Sequence, residues 1–202
     1  MKFTHKLTNI LLLISVVITV TSPALAGGKV QVAGNVSFGG SGCPDSSARV
    51  TVSPDGQEIR LSFDKFAADA TRPAESRKSC NLVIPIKVPQ GFQISLAGAE
   101  YSGYVAPNTT GRLRSESFFA GQKGPVFTKN IDGGKNYTVK DSLASGANVW
   151  SACGDSVNMR VNASMIARGK GMATIDSMAL VNGGAASRGL SYRIKYRACT
   201  AK

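Results

Sequence analysis

Histidine is almost missing: the single one among 202 residues is His5. It lies in a stretch, 1–26, that reads as a removable secretory signal. Lys2 and Lys6 begin it, an apolar run extends from Ile10 to Val20, and Ala24-Leu25-Ala26 supplies a small-residue cleavage site. Cleavage after Ala26 leaves 176 residues and no histidine. A chain of that kind has no Ser-His-Asp or Cys-His machinery, no HExxH zinc protease and no imidazole metal site. General acid–base work near neutral pH loses its commonest side chain, so catalysis would fall to carboxylates, a Ser–Lys pair or a tyrosine. The composition argues against an enzyme.

Other absences narrow the reading further. No apolar run after the signal is long enough to span a bilayer, so no transmembrane segment is expected once the signal is gone. The four cysteines, Cys43, Cys80, Cys153 and Cys199, form no CxxC pair, which argues against a zinc cluster and excludes a thioredoxin-like redox motif. No D-x-D-x-D loop is present, so an EF-hand is absent. Neither a metal nor a cofactor is expected. An even cysteine count in an exported chain points to two disulfides and to an oxidising, extracellular or periplasmic setting. Three pairings are possible; Cys43–Cys80 and Cys153–Cys199, one for each half, are the expected ones.

Charge of one sign is also scarce, with 12 Asp+Glu against 24 Lys+Arg. Glycine is plentiful at 22 residues and charged residues amount to only 18%, a balance that suits a turn-rich β protein. Period-two alternation supports this. Val50 and Val52 oppose Arg49, Thr51 and Ser53, the turn Pro54-Asp55-Gly56-Gln57 follows, and Ile59, Leu61 and Phe63 return on one face. Cys80, Leu82, Ile84, Ile86 and Val88 repeat the pattern, with Pro85 arguing for an edge strand or a bulge. Phe92, Ile94 and Leu96 follow, then Val157, Met159 and Val161. The cleanest alternation is the last, Leu190, Tyr192, Ile194 and Tyr196 against Ser191, Arg193, Lys195 and Arg197. The polar stretch 67–79 reads as a loop, strands are hard to place over 105–148, and 163–168 alone has a weak helical period. The expected organisation is a signal at 1–26, a flexible Gly-rich leader at 27–42 and one secreted domain at 43–202. That domain is all-β, an antiparallel sandwich or a barrel-like relative, closed by two disulfides.

The ordered set SGCP (41–44), SFDKF (62–66), RKSCNL…VPQGF (77–92), YSGY (101–104), WSACG (150–154), ATIDSM (173–178) and YRIKYRAC (192–199) resembles one family. This is the group of small secreted proteins of bacteria and fungi known as domain of unknown function 4360. The resemblance covers about 41–199 and includes all four cysteines. It implies a secreted, disulfide-bonded single domain, and it implies no activity, substrate or catalytic residue. A Gly/Ala loop at 182–189 departs from the pattern.

The candidate site is a basic stripe. Arg193, Lys195 and Arg197 share one strand face, and Arg160 joins them if the last strand pairs with 157–161. Between 157 and 202 there are eight basic residues and one acid, Asp176. Such a face would attract an anionic polysaccharide, an envelope surface or a secreted protein; base-specific nucleic-acid recognition is not expected, since no recognition helix or aromatic-rich motif is present. Trp150, the only tryptophan, fits either a core residue on a disulfide or an exposed platform for a sugar ring. Tyr101 and Tyr104 fall on opposite strand faces, so one can face a ligand. Two other functions compete with binding: a protease inhibitor with a rigid exposed loop in 105–136, and a glycan hydrolase built on two of Asp64, Asp69, Glu75, Glu100, Glu116, Asp155 and Asp176.

Overall fold

A computed structural model describes residues 28–44, 47–143, 150–175 and 189–200. The signal at 1–26, most of the Gly/Ala loop at 182–189, and Asp176, Arg188 and Lys202 lie outside them. The alternating segments form the strands β1 (Gln31–Val32), β2 (Ser37–Gly39), β3 (Ala48–Val52), β4 (Glu58–Phe63) and β5 (Ala67–Asp69). After a 3-10 turn at Pro73–Glu75 come β6 (Arg77–Lys87), β7 (Phe92–Val105), β8 (Thr109–Phe119), β9 (Val126–Asp132) and β10 (Lys135–Asp141). The chain closes with β11 (Ser156–Gly169), β12 (Met172–Thr174) and β13 (Leu190–Ala198).

All pairings are antiparallel and divide the strands between two sheets. The first sheet has six strands, in the order β1-β6-β11-β8-β9 with β2 also on β6. The second has seven, in the order β3-β4-β13-β7-β12-β5 with β10 also on β7. The fold is an all-β sandwich. Alternate residues of each strand point inward, so Leu82, Ile84 and Ile86 of the first sheet face Ile59, Leu61, Phe63 and Tyr192 of the second, all buried. The predicted hairpin is formed by β3 and β4. Its turn works through Gly56, at φ +72°, whose N–H donates to Ser53 O at 2.8 Å.

Three expectations need correction. Residues 163–168 lie in the second half of β11, and Ala163, Met165 and Ala167 are buried at period two. The stretch 67–79 contains β5 and the start of β6. The Gly-rich stretch 28–42, read as a loose leader, is laid along β6 by β1 and β2, with Val30 in the core. Pro85 explains the break between those two short strands. Ala33 N–H donates to Pro85 O at 2.8 Å, so the proline's missing N–H lies on the same side, opposite residues 33–36 where the chain leaves the ladder.

The disulfides join Cys43 to Cys80 and Cys153 to Cys199. The first is buried under the turn that carries β2 into β3; the second closes the open end of the second sheet. Among the described residues no helix is long and apolar enough to cross a membrane.

Candidate functional site

The last strand carries the stripe as the alternation requires. Arg193, Lys195 and Arg197 are exposed, while Leu190, Tyr192 and Ile194 are buried. Because β13 pairs with β7 along its length and with β4 over Leu190–Arg193, the stripe runs down the second sheet's outer face and its Lys195–Arg197 end extends beyond β4. Arg160 is not part of it. Strand β11 uses both edges for β6 and β8, which places Arg160 on the outer face of the opposite sheet. There it shares a surface with Arg112 and Arg114, residues the sequence reading passed over although their period-two spacing in β8 was the signal.

The two ends of the stripe differ. At the upper end acids are close: Glu58 lies opposite Arg193 in the ladder and pairs with Arg60 at 2.7 Å, and Glu100 pairs with Lys140 at 3.8 Å. Asp55, Gln57, Glu58 and Ala97 line a shallow hollow with Arg193 and Lys195. At the lower end the cations have no acidic partner among the described residues. Arg197 is held another way. Its Nε donates to Gln93 Oε1 at 3.0 Å, and its guanidinium carbon lies 4.2 Å from the centre of the Trp150 ring.

Trp150 is therefore neither of the two things expected of it. It is half-buried, and its ring supports an arginine. The backbone beside it is tied to β7: Ser151 N–H donates to Ile94 O at 2.9 Å, and Gln93 Nε2 donates to Ser151 O at 2.7 Å. The Cys153–Cys199 bond then joins this strip to the end of β13. Gln93 had no signal beyond being polar on a strand, so its role in joining the two sides was not readable.

Tyr101 is no ligand residue. It is fully buried and stacked on Phe127, with ring centroids 5.1 Å apart and planes 5° from parallel. Burial pushes the phenols of Tyr101 and Tyr192 up, which keeps both neutral. Tyr104 is half-buried, and its N–H donates to Thr174 Oγ1 at 3.0 Å. The stretch 105–136 is mostly the paired strands β8 and β9 instead of an exposed inhibitory loop.

Four carboxylates are held ionised. Hydrogen bonds from Ser53, Arg60 and Lys78 hold Asp55, Glu58 and Glu75 respectively below the usual carboxylate range. Asp69 is held at about 2, chiefly by the Thr71 hydroxyl and then by Arg72. A glycosidase acid needs the opposite shift. Among the described residues no three His, Cys, Asp or Glu side chains come together as a metal site. Asp69 does have a structural consequence. A depressed folded-state value means its contribution is complete above the unfolded value, near 3.8, and disappears as pH falls through about 2. Asp69→Asn is expected to flatten the fall of melting temperature between about pH 4 and pH 2; an unchanged acid limb by circular dichroism would contradict this.

The sequence matches the family described as Domain of unknown function (DUF4360) over residues 29–199. The chain belongs to this family. Its DUF4360 domain is 34% identical, over 142 residues, to an "Uncharacterized secreted protein" of Arthroderma benhamiae. That match covers 66% of this chain and 58% of the relative, so the chain spans little more than half the relative's length. The DUF4360 fold is also similar to the solved structure of TmCBM61 in complex with beta-1,4-galactotriose. The identity is 12%, the TM-score is 0.30, and 77% of this chain and 86% of that chain are covered, a likeness too distant to bear on the ligand. The secreted relative and the two disulfides together describe a DUF4360 protein of an oxidising compartment.

Proposed function

We propose that this is a non-enzymatic binding protein acting outside the cytoplasm, and that it takes an anionic polymer on the lower end of the second sheet's outer face. The observation that carries this reading is Arg197, fixed on one side by Gln93 and beneath by the Trp150 ring. A guanidinium held over an indole and tied through Nε leaves its two terminal amino groups for a forked contact with carboxylate, sulfate or phosphate. Its ordering is completed before the ligand arrives, which lowers the entropy cost of binding. Lys195, two residues earlier on the same face, adds a second cation about 7 Å away. The lowering of Asp69 and Glu75, each tied to a neighbouring cation, favours binding over hydrolysis at those two carboxylates.

The test is retention on immobilised heparin under a salt gradient. Lys195→Ala combined with Arg197→Ala is expected to weaken binding roughly tenfold or more and shift elution to lower salt. Glu100→Gln, on the same face but at its neutralised end, should change little. Elution of the double variant at the wild-type position would overturn the assignment to this strand.

A further inference from the structure

The outer face of the first sheet is a second charged surface, and neither the stripe nor the core uses it. Its outward positions on β6, β8 and β11 include Arg77, Arg112, Arg114, Arg160 and Arg168, all exposed. The registers place Arg77, Arg112, Arg114 and Arg168 together at one end and Arg160 at the other. Arg77 and Arg112 both pair with Ile166, from opposite sides, which sets their backbones about 10 Å apart. Arg114 follows Arg112 on the same face, and Arg168 lies diagonal to Arg112 across the β8–β11 ladder. Two acids, Glu116 and Asp132, share the outward positions of β6, β8, β9 and β11. Glu116 engages Arg114 at 3.8 Å; among the described residues the other four arginines enter no ion pair.

Between the arginines at the two ends lie amides and apolar side chains. Asn81 pairs directly with Asn162, half-buried Phe118 lies opposite Arg160, and Asn158 extends the amides two residues beyond Arg160. From Arg160 to Arg168 the face runs about 26 Å along β11. Arginine forks suit spaced acid groups, amides suit hydroxyls, and the Phe118 ring offers an apolar contact to a sugar face. A single aromatic does not provide the series of stacking platforms that single-stranded nucleic acid uses. A lipid surface would call for a group of apolar side chains that protrude, whereas Phe118 and Ile166 are half-buried among charged neighbours and only Val126, at the β9 edge opposite Glu116, is an exposed large apolar residue on the described part of this face.

We infer that this face is a second binding surface for a linear acidic polysaccharide and that the protein is a bivalent bridge between two polymer chains. The two faces are the opposite sides of one sandwich, so one extended chain does not lie on both. Bivalence rests on the reading given for the Lys195–Arg197 end; the second surface stands independently of it.

The experiment uses the full secreted protein, shown to be monomeric by sedimentation, with polygalacturonate beads and soluble fluorescent polygalacturonate. The wild type is expected to carry fluorescence onto the beads. Arg112→Ser/Arg114→Ser/Arg160→Ser should still bind the beads but transfer at least tenfold less, with an unchanged melting curve. Wild-type transfer by this triple variant overturns the second surface. Complete loss of bead binding by the triple variant, with Lys195→Ala/Arg197→Ala binding normally, overturns bivalence and the stripe reading but keeps the second surface. Transfer of single-stranded DNA or phosphatidylglycerol vesicles with none of polygalacturonate overturns the choice of polysaccharide.

Discussion

Replacing Cys43 and Cys80 together by alanine is expected to lower the unfolding free energy by about 4 kcal/mol. The bond closes a loop across a sequence separation of 37, and restoring that freedom to the unfolded chain accounts for most of the loss in the loop-entropy view. Packing adds to it, because both sulfurs are fully buried and alanine leaves a void. The backbone around the bond does little to compensate: Gly42 N–H donates to Ser79 O at 2.8 Å, and Cys43 N–H to Gly40 O at 3.2 Å. Urea unfolding of the oxidised proteins reads the difference; a change below about 1 kcal/mol would show that strand pairing alone holds the turn. The other bond is more accessible, since Cys153 is exposed. Mild reductant should therefore open Cys153–Cys199 first and leave Cys43–Cys80 intact, an order that thiol labelling reports.

Phe66→Ala should cost a similar amount, about 4 kcal/mol, and lower the melting temperature by on the order of 10 °C. Phe66 is 2% exposed and meets Phe63 edge-on, with centroids 5.2 Å apart. Its ring also fills the space above Gly42, where a Cβ would come within 2.6 Å of the ring carbons. Alanine removes the aromatic contact and leaves a cavity bounded by backbone that cannot collapse into it. Phe66→Leu keeps much of the volume and should lose less than half as much. Equal losses for the two substitutions would place the stabilisation in aromatic geometry instead of filled volume.

How legible each part was depended on whether its partner was local. Strand β4 and strand β13 were plain, because Ile59, Leu61 and Phe63, and Leu190, Tyr192 and Ile194, alternate with polar residues and need no knowledge of what they face. Strand β8 was nearly invisible. Its inward row is Thr109, Gly111, Leu113, Ser115, Ser117 and Phe119, which has no clear hydropathy contrast with the outward row. The reason lies across the core: Ser117 Oγ donates to the buried hydroxyl of Tyr192 at 2.8 Å, and Gly111 leaves room for Val105, Ala173 and Met165. A small or polar inward residue matched to a large one on the other sheet cannot be read from either strand alone. The site divided in the same way. The exposure of Arg193, Lys195 and Arg197 is local alternation, whereas the placement of Arg160 depends on which strands β11 chooses as neighbours, and the Trp150–Arg197 contact joins segments far apart in sequence.

Strand β13 is the last of the described strands, yet over Leu190–Arg193 it lies inside its sheet, with β4 on one side and β7 on the other. Until residues 190–198 emerge, the hairpin formed by β3 and β4 has no neighbour to dock against, and the matching edge of β7 stays open. The second sheet can therefore close only once residues 190–198 are present, so a product clipped before Leu190 forfeits the centre of that sheet along with its most basic strand.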